Sequence, residues 1–363
     1  MNGFKVKVKV NVLNILVLNT CGQETLDTFF PEYVRQRLEK VGNVRYLEYS
    51  NTEEEKRTLK KIIPDVDVMF TTWGASASQS GFDEEFYTAA KNLRVIAHTG
   101  GSVADLISEY MNGIVLLSGN RYFAESVAQG TICYMLMGQR RLFWRLKKTE
   151  EKLENWWDGG YTDGLRGKTI GLVSFGMIAK NVARMLRVFD CKVKVCSGHE
   201  ISKVEQDEFN VQVCSMEELF STCDIISIHS GLTAKTYHSV DEKLLVMMKD
   251  DALLVNTSRG AVIDEAALER EVKSGRIRAV LDVFEVEPLP MESGLRGLDN
   301  VIVVPHSAGP TTDVRALITM GLIDDVERYF GGDQDLKNQI TLDYAKNMTS
   351  HAMVDKRKEE KEN

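Results

Sequence analysis

The chain contains no apolar run long enough to cross a bilayer, and its first residues lack the uninterrupted apolar stretch of a secretory signal. Neither a membrane partner nor export is therefore expected. Basic clustering is missing too. The formal net charge is -8 and no basic stripe interrupts it, so nucleic acid is not an expected partner. Six cysteines are present (Cys21, Cys133, Cys191, Cys196, Cys214, Cys223), with no CxxC spacing, which removes a zinc ribbon or a disulfide scaffold from the readings. Most sit in apolar runs and read as small buried hydrophobes; no metal is expected, and a reducing cytoplasm fits. What remains is ordinary: 43% apolar and 27% charged residues. At 363 residues the chain exceeds what one hydrophobic core supports, so two domains are expected. Lys5, Lys7 and Lys9 alternate with Val6, Val8 and Val10 as in an extended segment, and residues 355–363, nearly all charged, read as a solvated tail.

Strand-like and helix-like stretches alternate. Residues 15–19, 66–71 and 93–97 read as strands, and 29–40 as an amphipathic helix. A second series of strands reads at 169–173, 192–196, 224–229, 252–256, 279–283 and 301–304, with a helix at 178–189 and a final one at 313–330. This order predicts an α/β chain with doubly wound parallel sheets. Residues 124–147 read as one long helix, apolar on more than one side. It is either a core helix or one that joins domains or subunits.

After the strand at 169–173, the turn matching G-x-G-x-x-G/A reads Ser174, Gly176, Ala179. The pattern asks for a tight bend, a bare Cα where a pyrophosphate approaches, and a small residue where helix meets strand. Gly176 and Ala179 meet the last two demands; Ser174 departs from the first. Met177 and Ile178 open the following helix. An acidic residue about 20 positions on would normally hold the adenosine ribose, but Ser197 stands there, in Cys196-Ser197-Gly198-His199. NAD is the reading, with NADP the alternative, since no carboxylate repels a 2′-phosphate and no arginine stands beside it.

Three later stretches each set one reactive side chain beside a chain-bending residue: Asn256-Thr257-Ser258-Arg259-Gly260, then Asp282-Val283-Phe284-Glu285-Val286-Glu287-Pro288, then Pro305-His306-Ser307-Ala308-Gly309. Arginine grips a carboxylate with two prongs. Histidine passes a proton near neutral pH, and a glutamate can orient it. Such a trio suits proton-coupled chemistry on a carboxylate-bearing substrate. His199, His238 and His351 stand in no such context.

With these motifs, and with Leu165-Arg166-Gly167-Lys168-Thr169-Ile170-Gly171 before them, residues 15–340 resemble the D-isomer-specific 2-hydroxyacid dehydrogenases. The resemblance implies two Rossmann-like or flavodoxin-like domains with the active site in a cleft between them. Residues 1–118 plus 310–345 would form a discontinuous substrate domain, 119–309 the dinucleotide-binding domain, and 346–363 the charged tail. Arg259 would bind the substrate carboxylate and His306 would exchange the proton in interconverting a D-2-hydroxy acid and its 2-keto acid. Glu287, which directly precedes the proline, would support the imidazolium. Asp282 would contact the nicotinamide carboxamide, and Thr257, Ser258 and Ser230 would line the cofactor. The loop His98-Thr99-Gly100-Gly101-Ser102 would hold the substrate carboxylate through backbone amides at Gly100 and Gly101; the alternative is a plain turn. Trp73 is either a core aromatic or a pocket wall. A homodimer is implied. Two other functions share the fold: formate oxidation, which in related proteins carries glutamine in the Glu287 role, and dinucleotide sensing by corepressor-like proteins.

Overall fold

The computed structural model describes residues 12–151, 161–346 and 348–349. The Lys/Val alternation at 5–10, His351 and the charged stretch 355–363 lie outside the described residues. Two compact units are present: Met1–Asn120 with Thr312–Lys346, and Arg121–Thr311 with Asn347–Asn363.

The first unit runs β1 (Leu13–Asn19), α1 (Gln23–Phe29), α2 (Glu32–Glu39), β2 (Gly42–Glu48), α3 (Glu53–Ile62), β3 (Val68–Thr71), α4 (Glu84–Ala89), β4 (Val95–His98) and β5 (Val115–Ser118). Its five strands are parallel in the order β2-β1-β3-β4-β5, the flavodoxin-like arrangement. β3 and β4 are buried at every position, which is why they read as unbroken apolar runs and not as alternating ones. The helix expected over 29–40 starts three residues later, at Glu32. α1 ends at Phe29 and Pro31 caps α2, because proline lacks the amide a continuing helix needs but suits a helix start.

The second unit begins with α5 (Asn120–Gln139) and α6 (Leu142–Glu150), then β6 (Thr169–Val173), α7 (Met177–Leu186), β7 (Lys192–Cys196), α8 (Lys203–Phe209), β8 (Val211–Val213), α9 (Met216–Thr222), β9 (Ile225–Ile228), α10 (Glu242–Met247), β10 (Leu253–Asn256), α11 (Glu265–Lys273), β11 (Arg278–Leu281) and β12 (Val301–Val303). Its seven-stranded parallel sheet has the order β12-β11-β10-β9-β6-β7-β8. Successive strand residues point to opposite faces, and a separate apolar cluster forms on each. Ile226, Leu254 and Leu281 belong to one cluster. Ile225, Leu253, Val255 and Val280 pack with α5 and α7 in the other.

The helix expected over 124–147 breaks. Arg141 adopts a left-handed φ of 48° and pairs with Asp251 at 3.1 Å. The buried Arg278 donates to the Gly138 carbonyl at 2.7 Å, satisfying an end-of-helix acceptor from outside. α5 buries Val127, Ile132 and Met135 against the sheet, whereas Leu142, Phe143 and Leu146 on α6 are exposed. The chain then returns to the first unit through α12 (Thr312–Phe330), packed on α1 and α2, and α13 (Leu342–Ala345).

Candidate active site

β6 lies between β7 and β9, so the strand order reverses there. Open α/β sheets bind ligands at the carboxyl ends of strands at such a switch point. Ser174 makes the bend after β6 with φ 76°, a left-handed conformation that costs a non-glycine residue roughly 1 kcal/mol. Its amide is held by the Cys196 carbonyl at 2.7 Å. Gly176 has an ordinary φ of -81°, and a Cβ built there meets no protein atom within 4 Å. Neither backbone nor packing demands glycine at this position, and its bare Cα leaves room for the close approach that a pyrophosphate requires.

Helices α8, α9, α10 and α11 start with side-chain caps from Ser202, Ser215, Asp241 and Asp264. α7 starts at Gly176 with none, leaving its first amides and its dipole for an anion. Met177 and Ile178 are half-buried at this turn, and Ala179 is fully buried against the sheet. These residues fit a dinucleotide.

Ser197 directly follows β7; its Oγ lies 3.1 Å from His199 Nδ1 and accepts the His199 amide at 3.3 Å. A hydroxyl and an imidazole thus stand where the usual carboxylate would. Ser230 is buried just after β9. Beside it, His229 is buried with neither ring nitrogen partnered among the described residues, and burial pushes it down to about 3.

Arg259, Glu287 and His306 follow β10, β11 and β12, which are neighbours in the sheet. Asn256 staples the first turn: its Oδ1 accepts the Ser258 amide at 3.0 Å and the Ser258 hydroxyl at 2.9 Å, and its Nδ2 donates to the Arg259 carbonyl at 3.0 Å. Gly260 then presses on the second turn. A Cβ there would lie 1.9 Å from the Phe284 carbonyl carbon and 2.4 Å from the Glu285 nitrogen, so only glycine fits. Glu287 accepts the Phe284 amide through Oε1 at 3.0 Å, and His306 Nδ1 lies 2.7 Å from Glu287 Oε2. Burial acts to raise the Glu287 carboxyl, but the His306 hydrogen bond, the Phe284 amide and the charges of His306 and Arg259 hold it below its ordinary value. An ionised Glu287 accepts from Nδ1–H and leaves the other ring nitrogen of His306 for proton exchange.

His306 itself has a φ of 49°. The strain is held by Asp282, whose carbonyl accepts the His306 amide at 2.9 Å. The Asp282 carboxylate accepts the Ser307 and Ala308 amides at 2.7 and 3.1 Å and the Tyr134 hydroxyl at 3.0 Å. Asp282 is 1% exposed, so this structure commits it to the His306 loop. Thr257 Oγ1 lies 2.9 Å from Thr131 Oγ1. Tyr134 and Thr131, both on α5, were not singled out from the sequence. Their partners are 148 and 126 residues away, and on an apolar helix they read as core.

In the first unit, Trp73 follows β3 half-buried, edge-on to Phe29 at 5.1 Å, with the Arg315 guanidinium 5.0 Å above its ring. The loop after β4 is tightly tied. Gly119 and Ser118 donate to the Gly100 carbonyl and Ser118 to that of Gly101, while no acceptor among the described residues takes the Gly100 or Gly101 amide. A Cβ on Gly100 would lie 2.2 Å from His98 Nε2. His98 is buried, its Nδ1 2.9 Å from Thr71 Oγ1.

Residues 132–308 match the family model described as the D-isomer specific 2-hydroxyacid dehydrogenase NAD binding domain. A hydroxypyruvate reductase of Thermotoga maritima is 34% identical over 304 residues, covering 82% of this chain and 95% of that relative. A glyoxylate reductase of Thermofilum pendens is 36% identical over 239 residues, 64% of this chain and 70% of its own. Among solved structures, an acyclic imino acid reductase in complex with NADPH and D-Arg superposes with a TM-score of 0.73 at 25% identity, covering 91% of this chain and all of that one. The protein is an NAD(P)-dependent oxidoreductase interconverting a 2-hydroxy acid and its 2-keto acid; the formate and corepressor-like alternatives are not favoured. By its Rossmann-like sheet, its cofactor turn and its sequence likeness, the chain belongs to the D-isomer-specific 2-hydroxyacid dehydrogenase family.

Proposed function

We propose that the enzyme reduces a short 2-keto acid of the glyoxylate or hydroxypyruvate type, the compounds for which two of its relatives are named. The observation that carries the residue assignment is the His306–Glu287 pair at 2.7 Å, with the charge of Arg259 acting on the same carboxylate. Bound NADH supplies the hydride to the carbonyl carbon. Arg259 grips the substrate carboxylate and polarises the carbonyl, a planar fork matched to a planar anion. His306 delivers the proton to the carbonyl oxygen as charge develops there, and takes it back in the oxidative direction. Glu287 keeps Nδ1 protonated and the ring oriented. The tied carbonyls of Gly100 and Gly101 leave their amides to receive the carboxylate, and Trp73 with Arg315 shapes recognition of the substrate side chain. Ser174, Gly176, Met177, Ile178, Ser197, Ser230, Thr257 and Ser258 hold the dinucleotide, and Asp282 contacts its nicotinamide carboxamide while anchoring the His306 loop.

The same reading places the enzyme in the cytoplasm as a homodimer, without nucleic-acid or membrane partners. Six free cysteines suit a reducing compartment. A net charge of -8 opposes polyanion binding. Exposed Leu142, Phe143 and Leu146 on one short helix give a second copy apolar surface to cover.

Oxidation of NADH and NADPH against a panel of glyoxylate, hydroxypyruvate, pyruvate, oxaloacetate and branched or aromatic 2-keto acids tests this. Turnover is expected to be fastest with the first two acids. A clear preference for a bulky or dicarboxylic acid would sink the substrate assignment. Cofactor choice has its own test. Ser197→Asp places a carboxylate against any 2′-phosphate, so the NADPH/NADH ratio of kcat/KM should fall by roughly tenfold or more. An unmoved ratio would show that the ribose is read elsewhere.

A further inference from the structure

A second histidine–glutamate pair lies beside the first. His238 Nε2 sits 2.6 Å from Glu285 Oε1, and Glu285 is two residues before Glu287. The same oxygen accepts the Glu265 amide at 3.1 Å, and the Glu285 amide returns a bond to Glu265 Oε2 at 2.9 Å. The backbone of His238 runs along the arginine turn: its amide donates to the Ala261 carbonyl at 2.9 Å, Val240 to Val262 at 3.1 Å, and Asp264 back to Val240 at 3.0 Å. One residue therefore holds the Arg259 turn with its main chain and the Glu287 turn with its ring. These two turns already touch where Gly260 presses on Phe284 and Glu285.

The electrostatics explain why a donor is needed there. Burial and the charges of Glu285, Glu269 and Glu287 raise the Glu265 carboxyl, against the Glu285 amide. These four carboxylates repel one another. His238 Nε2–H is the side-chain donor that ties Glu285 down, and its ring is itself fixed by stacking on Tyr237 at 4.0 Å and 13°. Its φ of 51° is the kind of strained backbone that surrounding bonds must over-determine.

We propose that His238 is a positioning residue for the reaction, acting through Glu285 to hold Glu287 against His306. The inference rests on the assigned roles of Glu287 and His306. In this role His238 acts only through Glu285: loss of its donor leaves the Glu285 carboxylate with the Glu265 amide alone and loosens the Glu287 turn. Small displacements of catalytic groups cost up to about a hundredfold in rate, and a tenfold loss is the expected scale here.

The test uses His238→Phe, which keeps an aromatic ring for Tyr237 but has no donor, and His238→Gln, whose amide can reach Glu285. His238→Phe should lower kcat for keto-acid reduction by about tenfold with the KM for NADH unchanged, and His238→Gln should stay within about threefold of wild type. The pH profile of reduction should differ between His238→Phe and wild type, because the Glu287–His306 pair that exchanges the proton has moved. In a Glu287→Gln background the His238→Phe change should add almost nothing, since both act on one pair. Wild-type kcat and pH profile in a folded His238→Phe enzyme would overturn the proposal, as would losses that multiply in the double variant or a His238→Gln enzyme as slow as His238→Phe. Should Glu287→Gln alone run at the wild-type rate, the assignment of the site fails first and the proposal with it; a slow Glu287→Gln beside a fast His238→Phe refutes the proposal alone.

Discussion

Replacing His306 by glutamine is expected to lower kcat for 2-keto acid reduction by roughly 10²- to 10⁴-fold, the range that positioned acid–base catalysis supplies. Glutamine keeps a polar group of similar reach but cannot carry a proton to a forming alkoxide. NADH affinity should stay near wild type, because the groups that fit the dinucleotide lie on the turn at 174–179, and the loop at 306–308 remains anchored by Asp282 through backbone amides. Single-turnover hydride transfer and fluorescence titration of NADH separate the two effects. A variant that binds NADH and retains a rate within about threefold of wild type would remove His306 from the chemistry. The pH dependence carries a second check. Glu287 has a carboxyl held below its ordinary value, so the stabilisation from its charged form is complete above the ordinary carboxylate range. It is lost only as pH falls through the lowered value. The deficit of a Glu287→Gln enzyme should therefore be full at neutral pH and shrink only in strong acid.

Much of this machinery was legible because it is local. A strand, a glycine and an arginine within five positions announce one element of the site, and a strand followed by Pro-His another. The strand at 169–173 carries an apolar run and that at 192–196 a Lys/Val alternation, and both appear at the expected residues. Helix ends were less legible. Pro31 was in plain view, yet the apolar periodicity running across it outweighed it. The break at Arg141 was hard to see, since the Gly138 carbonyl is shared between the Arg141 amide and the side chain of Arg278, 140 residues on. Long-range polar pairing explains the other gaps. His238 looked contextless in sequence because Glu285 lies 47 residues away. Asp282 is read from the sequence as a cofactor contact, but the bonds of its carboxylate to Tyr134 and to the amides of the His306 loop have no sequence signal. Motifs name the candidate side chains; many of the bonds that hold them still come from residues far away in sequence.

The two histidines buried among the described residues give the other large expected effect, a steep loss of stability in mild acid. Burial pushes His98 from 6.5 down to about 4, a hydrogen bond at Thr71 offsetting part of it, and pushes His229 down to about 3. A histidine with a lowered folded value is neutral in both states above about 6.5 and contributes nothing there. Below that, the unfolded chain takes up a proton that the fold refuses, so stability falls by about 1.4 kcal/mol per pH unit per histidine until the folded value is reached. At pH 4 the loss is roughly 3 kcal/mol for each, against 5–15 kcal/mol for a typical domain. Each unit carries one of the pair, so neither is spared. The carboxylates held low, Glu287, Asp83 and Asp224, act in a different window: their contribution persists above the ordinary carboxylate range and fades only below it. Glu265, raised by burial, works in the opposite sense and gains from protonation as acid approaches. The slope between pH 6.5 and 4.5 therefore belongs to His98 and His229. Thermal melts followed by circular dichroism should show a flat Tm above pH 7 and a falling one below 6.5, and His98→Gln and His229→Gln should each flatten part of the fall. A Tm unchanged from pH 7 to 4.5 would mean that both imidazoles find water or a proton acceptor, and that neither is held neutral by its burial.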